Sequence, residues 1–216
     1  MLNKQSTQHL ILASAIKAID KGGEAAVQIR KICTESKTTA PTVYYFFGSR
    51  EGLIEAAQAA RYFDGQNAML TAFNDAVHRC KSKSEFASVV HDYLNQTFSQ
   101  KRQHVRSVRV NVLGSAQSRK SLAKTIAGYQ LIANKVAGKT IRYAQEKRWA
   151  RSDLNPEMFA ALAIGIANAQ TIIELDGAHP DREDWIEIAT RSICLVLEIP
   201  EPKNAKTKSK VKRKPK

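Results

Sequence analysis

Glycine and proline are scarce in this 216-residue chain, 10 and 6 in number, and they fall between segments whose apolar residues recur every three to four positions. No stretch of useful length alternates apolar with polar residues, so there is no pattern from which a half-buried sheet could be built. The spacing predicts an all-α fold of about nine helices. A first helix over residues 7–21 turns Ile11, Ala15, Ile16 and Ile19 inward and stops at Gly22-Gly23. A short one follows over 27–36, with Ile29, Ile32 and Cys33 on one side. Thr39 is placed to cap a third over 40–47, Pro41 suits its first turn, and Val43, Phe46 and Phe47 face inward. Gly48-Ser49 ends that helix and caps the next, which is long or broken over 50–80 with Gly65 as the candidate kink.

Further helices are predicted over 84–98, capped by Ser84, and over 105–112. A long one over 118–149 carries Leu122, Ile126, Tyr129, Ala133, Val136, Thr140 and Tyr143 on one side. The last two cover 157–175, closed by Asp176-Gly177, and 181–198, stopped by Pro200 and Pro202. Apolar residues make up 43% of the chain, enough for a substantial core.

The net charge of +14 favours an anionic partner, but its distribution matters more. Residues 1–60 are +2 and 61–100 neutral; 101–151 are +12, 152–200 are −7, and the tail 201–216 is +7. That tail is too polar to bury a core and is expected to be disordered. Three widely spaced cysteines, Cys33, Cys80 and Cys194, give neither a disulfide framework nor a zinc motif, which suits a reducing cytoplasm. The longest apolar run, 159–167, falls well short of the ~20 residues that span a bilayer, and no export signal or membrane anchor is expected. Five scattered histidines, no Gly-rich phosphate loop and no Gly-x-Ser-x-Gly leave no case for catalytic residues, a metal or a cofactor. The chain does not read as an enzyme.

Residues 29–47 have the layout of a helix-turn-helix: a helix, a short break at Lys37-Thr38-Thr39, and a second helix of divided character. Val43, Phe46 and Phe47 pack inward, which leaves Thr39, Ala40, Thr42, Tyr44 and Tyr45 at the start and outer side. Small hydroxyls and phenols there suit phosphates and base edges in a major groove.

These residues are the ones that resemble the tetracycline-repressor family of bacterial transcriptional regulators. The similarity rests on Ile29-Arg30-Lys31-Ile32-Cys33 and on the run from Thr38 through Thr42-Val43-Tyr44-Tyr45-Phe46-Phe47-Gly48-Ser49-Arg50-Glu51-Gly52-Leu53. It implies an N-terminal three-helix DNA-binding bundle and a C-terminal helical domain that binds ligand and dimerises. It also implies roles. Thr42 and Tyr44 would hold phosphates, side chains near Thr39, Ala40 and Tyr45 would face bases, Arg50 would grip the backbone, and Thr38 and Gln28 would add DNA contacts. Two features depart from the family. Lys37 stands where glycine is usual, at a cost of about 1 kcal/mol if it takes a left-handed φ, or else the turn has another geometry. Ala40-Pro41 replaces the commoner basic-glycine pair.

The expected organisation is a DNA-binding domain over 1–50, a ligand-binding and dimerisation domain over 51–200, and the basic tail over 201–216. The second domain is expected to pair as a homodimer, through apolar faces of the helix around 159–167 and of the final helix. Its ligand groups are unknown. Arg102, Arg106 and Arg109 share a helix face and would suit an anionic effector, with Arg106 and Arg109 as the candidates, or would pair with the acidic segment that follows. Asn168 and Gln170 interrupt an apolar helix, either as pocket groups or as interface hydrogen bonds; Asn168 is the third ligand candidate. The function expected is a ligand-responsive repressor on a palindromic, double-stranded operator, cytoplasmic and on the nucleoid when bound. The alternative is a basic, sequence-tolerant nucleoid-type protein.

Overall fold

Ten α-helices and two turns of 3-10 helix form the regular structure among the described residues, which are 4–63, 67–175 and 181–202 of a computed structural model. The helices are α1 (Lys4–Gly22), α2 (Ile29–Glu35), α3 (Ala40–Phe47), α4 (Arg50–Phe63), α5 (Asn67–Arg79), α6 (Lys83–Phe98), α7 (Gln103–Ala116), α8 (Lys120–Glu146), α9 (Pro156–Glu174) and α10 (Arg182–Leu197). The stretch predicted as one long or broken helix over 50–80 is two, α4 and α5. The kink expected at Gly65, the stop at Asp176-Gly177 and the tail from residue 203 onward lie outside the described residues.

The helix ends follow local chemistry, with one correction. Asn155 caps α9 by accepting from the N–H groups of Glu157 and Met158, beside Pro156 in the first turn. For α6 the cap is Ser82 and not Ser84. Its hydroxyl accepts from Glu85 N at 3.2 Å, while the Glu85 carboxylate accepts from Lys81 N at 2.8 Å. The reciprocal pair satisfies two otherwise orphaned donors, which a cap at Ser84 would not. A separate correction concerns Tyr129. An apolar stripe ordinarily faces the core, yet this residue is 45% exposed, its ring tilted against that of Phe63.

The chain divides into two compact units: residues up to 69 with 104–133, and 70–103 with the residues from 134 onward. In the first unit, α1 packs on α2, α3 and α4 around Ile11, Ala15, Ile19, Val27, Ile32, Val43, Leu53, Ile54 and Ala57. A second cluster joins the end of α4 to α7 and the start of α8 through Tyr62, Val108, Val112, Ala116, Leu122 and Ile126. Each large aliphatic side chain buried in this way contributes about 1.5–3 kcal/mol.

The second unit is built on α5, α6, α9, α10 and the latter part of α8, around Phe86, Phe98, Val77, Ala144, Phe159, Ile193, Cys194 and Leu197. α9 is long and apolar enough, by length and composition alone, to cross a membrane. It packs on α6 and α10 with Phe159 and Ala160 buried. A polar link sits in that core. Gln170 donates to Phe98 O at 3.2 Å and to the buried Glu174 carboxylate at 2.9 Å, and Arg182 donates to the same carbonyl at 2.9 Å. Gln170 thus ties α9 to the end of α6, a role that neither of its two sequence readings described.

Candidate nucleic-acid interface

The turn between α2 and α3 is closed by backbone hydrogen bonds from Ser36 N to Ile32 O and from Thr38 N to Cys33 O, both at 2.9 Å. Lys37 takes φ 51° there. The tight turn that glycine usually supplies is therefore kept by a lysine, at the small cost of a left-handed non-glycine residue. Thr39 occupies the N-cap position of α3, but its hydroxyl caps no N–H. It is hydrogen-bonded to the Thr42 hydroxyl at 2.9 Å. With Pro41 in the first turn, one of the usual N–H partners is absent.

Of the sequence-predicted residues, those on α3 separate as the helical period requires. Val43 is fully buried, and Phe46 and Phe47 pack partly against the same core. On the outer side Tyr44 is 46% and Tyr45 69% exposed, with Thr39 and Pro41 also exposed and Ala40 and Thr42 half-buried. Thr38 is half-buried in the turn, and Gln28 is exposed at the N-cap of α2. Thr38, Thr39, Ala40, Thr42, Tyr44 and Tyr45 thus fall within one turn and the helix it opens.

Arg50 stands apart. Its guanidinium donates to Val27 O at 2.7 Å and Glu24 O at 2.8 Å, and pairs with Glu51 at 3.1 Å. These bonds fasten the segment between α1 and α2, at whose end Gln28 lies. Gly48 closes α3 at φ 73°, and Ser49 accepts from Gly52 N at 3.0 Å to cap α4. Glycine is also required at 52: a β-carbon there would lie 2.1 Å from the backbone oxygen of Phe47.

The residues that hold this bundle in place were missed by sequence reasoning. The Glu24 carboxylate accepts from Ser115 at 2.6 Å, Gln58 at 2.5 Å and Arg119 at 2.7 Å. Arg119 also reaches Glu51 at 3.1 Å, and Arg61 bridges Asp20 and Gln58 at 2.9 and 2.6 Å. α7 and the residue preceding α8 are thereby fixed to the α1–α2 segment. No local spacing signals this, because Glu24 and Arg119 are 95 positions apart.

Burial pushes the Glu24 carboxyl up, but hydrogen bonds from Ser115, Gln58 and Arg119 outweigh it and hold the group below its ordinary value. A carboxyl depressed in the folded state lends stability above its unfolded value, and that stability is lost as pH falls through the folded one. Acidification below about pH 4 is therefore expected to loosen the first unit. Glu24→Gln should lower the unfolding temperature at neutral pH and flatten its acid dependence. Identical melting-against-pH curves for the two proteins would remove the carboxylate from this role.

The ligand candidates fall differently. Arg106 and Arg109 are both buried, in the first unit. Arg109 donates to the Tyr62 hydroxyl at 2.8 Å and Gln130 at 3.3 Å, with its guanidinium 4.4 Å from the centre of the Tyr62 ring. Asn168 is half-buried on α9, in the second unit. Among the described residues no three His, Cys, Asp or Glu side chains gather as a metal site.

Residues 11–57 match the bacterial regulatory proteins, tetR family. No curated protein sequence matches the chain significantly. Among solved structures, a chain of Mesorhizobium loti MAFF303099 assigned to the TetR-family transcriptional regulators superposes with TM-score 0.68 at 10% identity, over 90% or more of both chains (91% of this one and 98% of that one). Salmonella enterica GusR gives 0.64 at 18% identity, over 89% of this chain and 95% of its own. A chain of Saccharomonospora viridis assigned as a transcriptional regulator, solved with choline, gives 0.61 at 17% identity, over 86% and 94%. The fold is that of these regulators.

Proposed function

We propose, from the premise that residues 11–57 are a tetR-family domain within a TetR-family fold, that this chain is a ligand-responsive transcriptional repressor binding a near-palindromic operator as a homodimer. The observation that carries the reading is the division of α3: Val43 is buried beneath a row of exposed or half-exposed hydroxyls, phenols and methyls. α3 would lie in the major groove. Thr42 and Tyr44 would then donate to phosphates, Thr38, Thr39, Ala40 and Tyr45 would face bases, and Gln28 would add a contact from the start of α2. Arg50 contributes by seating the segment that carries Gln28. The protein would work in the cytoplasm, on the nucleoid when bound.

The dimer is supported by apolar surface. Met158, Leu162 and Ile172 of α9 and Ile188 and Leu195 of α10 are exposed, with Leu162 51% and Leu195 77% accessible. The α9 residues follow one face, with Gly165 also exposed on it. Such surface in one place is the mark of an association site, and two-fold pairing would set two α3 helices about one turn of DNA apart. Leu162→Glu with Leu195→Glu is expected to give a monomer by light scattering and to remove binding to two-half-site DNA. A wild-type protein that is itself monomeric would sink the dimer.

Ligand response would be a population shift, in which an effector favours an arrangement that no longer suits two successive grooves. The Glu24 network gives a route, since any displacement of α7 or the start of α8 acts on the α1–α2 segment. Asn168 is a candidate effector contact. Arg109 donates to Tyr62 and Gln130 through one terminal nitrogen, so an anionic effector would be met by its remaining N–H groups. The reading is tested by footprinting the full chain on DNA flanking its own gene. A protected palindrome supports it, and affinity equal to that for random DNA overturns it.

A further inference from the structure

The α3 helix that the proposed function places in the groove has an unusual inventory. From its N-cap Thr39 to Phe47 it contains no Arg, Lys, Asn, Gln, Asp or Glu. Those are the side chains that make the bidentate or charge-assisted hydrogen bonds to bases in the major groove: Arg and Lys on guanine, Asn and Gln on adenine, Asp and Glu on cytosine, whereas threonine hydroxyls bond more than one kind of base and discriminate less. The N-terminal turn, the part of a recognition helix that meets base edges, offers instead the Ala40 methyl, the Pro41 ring and two threonines. The threonine hydroxyls are bonded to each other at 2.9 Å. One hydroxyl proton is thereby used within the protein, and each threonine also carries a γ-methyl group. Tyr45, 69% exposed one turn on, adds a ring. One feature of the major groove is matched by apolar groups alone, the C5-methyl of thymine.

We infer that α3 reads thymine methyl groups, so that the bases under its first turn are A·T pairs with their methyls set against Thr39, Ala40 and Pro41. The inference rests on α3 being the DNA-reading helix. The absence of guanidinium and ammonium side chains on α3 also fits the small charge of the first sixty residues, +2. Discrimination on this helix comes from shape and methyl burial and not from charge-assisted bonds.

The experiment has two arms on the full chain. Binding sequences are first selected from a randomised duplex; each thymine of the selected half-site is then replaced by uracil, symmetrically in both halves. Uracil keeps every hydrogen-bonding edge and the base pair and removes only the methyl. A covered methyl is worth about one buried CH₂, or roughly fourfold in affinity per half-site and about sixteenfold for the symmetric pair. Two or more such positions are expected within each half-site. In Ala40→Gly, whose retained helix content is checked by circular dichroism, the thymine preference should vanish at one of them and persist at the others. Selected half-sites with G·C pairs under the first turn, or uracil binding as well as thymine throughout, would overturn the inference while leaving the operator reading intact. If no sequence is enriched, both fail together.

Discussion

Replacing Thr42 and Tyr44 together by alanine is expected to lower operator affinity at least about 100-fold while leaving fold and association unchanged. Neither side chain is a buried core residue: Tyr44 is 46% exposed, and Thr42 is half-buried, with its hydroxyl bonded only to Thr39 among the contacts described. The loss of stability should stay near 1 kcal/mol or below. A hydrogen bond to a phosphate is worth about 1.5–3 kcal/mol, and a two-fold dimer would lose two from each subunit. The salt dependence separates this from a general weakening. Neutral donors release no counterions, so the slope of affinity against salt should be unchanged, whereas loss of a lysine contact would lower it by about one. Titration of the double variant against the footprinted operator at several salt concentrations checks both points. Unchanged affinity would mean that the outer side of α3 is not the DNA face.

Gly52→Ala is expected to have the largest effect on the N-terminal unit of any single methyl addition. On propensity alone it should stabilise α4, since alanine in a helix is favoured over glycine by about 1 kcal/mol. The tertiary position reverses the sign. The added carbon would lie 2.1 Å from Phe47 O and 3.3 Å from Phe47 C, and both are backbone, so no side chain can swing aside. Overpacking of this kind costs about 1–3 kcal/mol and occasionally more. Relief would require α3 to move off α4, which displaces the residues proposed to meet DNA. We expect a net loss of about 2 kcal/mol or more in thermal unfolding, with a large loss of operator affinity. Gly128→Ala is the control. It lies exposed in α8 with nothing within 4 Å of an added carbon, and it should stabilise by up to about 1 kcal/mol. If both variants were stabilised alike, the close approach at Gly52 would be refuted.

Gly52 and Ser82 mark where local sequence stops deciding structure. Gly52 belonged to the run that carried the family resemblance, yet nothing in its neighbours says why glycine is needed, because the clash is with a residue of another helix. Ser82 is a milder case. Both Ser82 and Ser84 are acceptable caps by composition, and only the reciprocal bond with Glu85 decides between them. Tyr129 was misjudged because the period identifies a side of α8 but not how far along it the neighbouring helices reach.

Local pattern by itself determined the all-helical fold, the break after Phe47 and the division of α3 into Val43 within and Tyr44 and Tyr45 without. Each depends on residues within one or two turns of one another, so apolar period and the breaks set by glycine and proline suffice. Tertiary structure alone decided that Glu24 is held by Gln58, Ser115 and Arg119, that Arg50 fastens two carbonyls of the α1–α2 segment, and that Arg109 is buried against Tyr62 and Gln130. These partners lie 21 to 95 positions apart. A charge in a sequence shows its sign, but only packing shows which groups it meets and how much water remains around them.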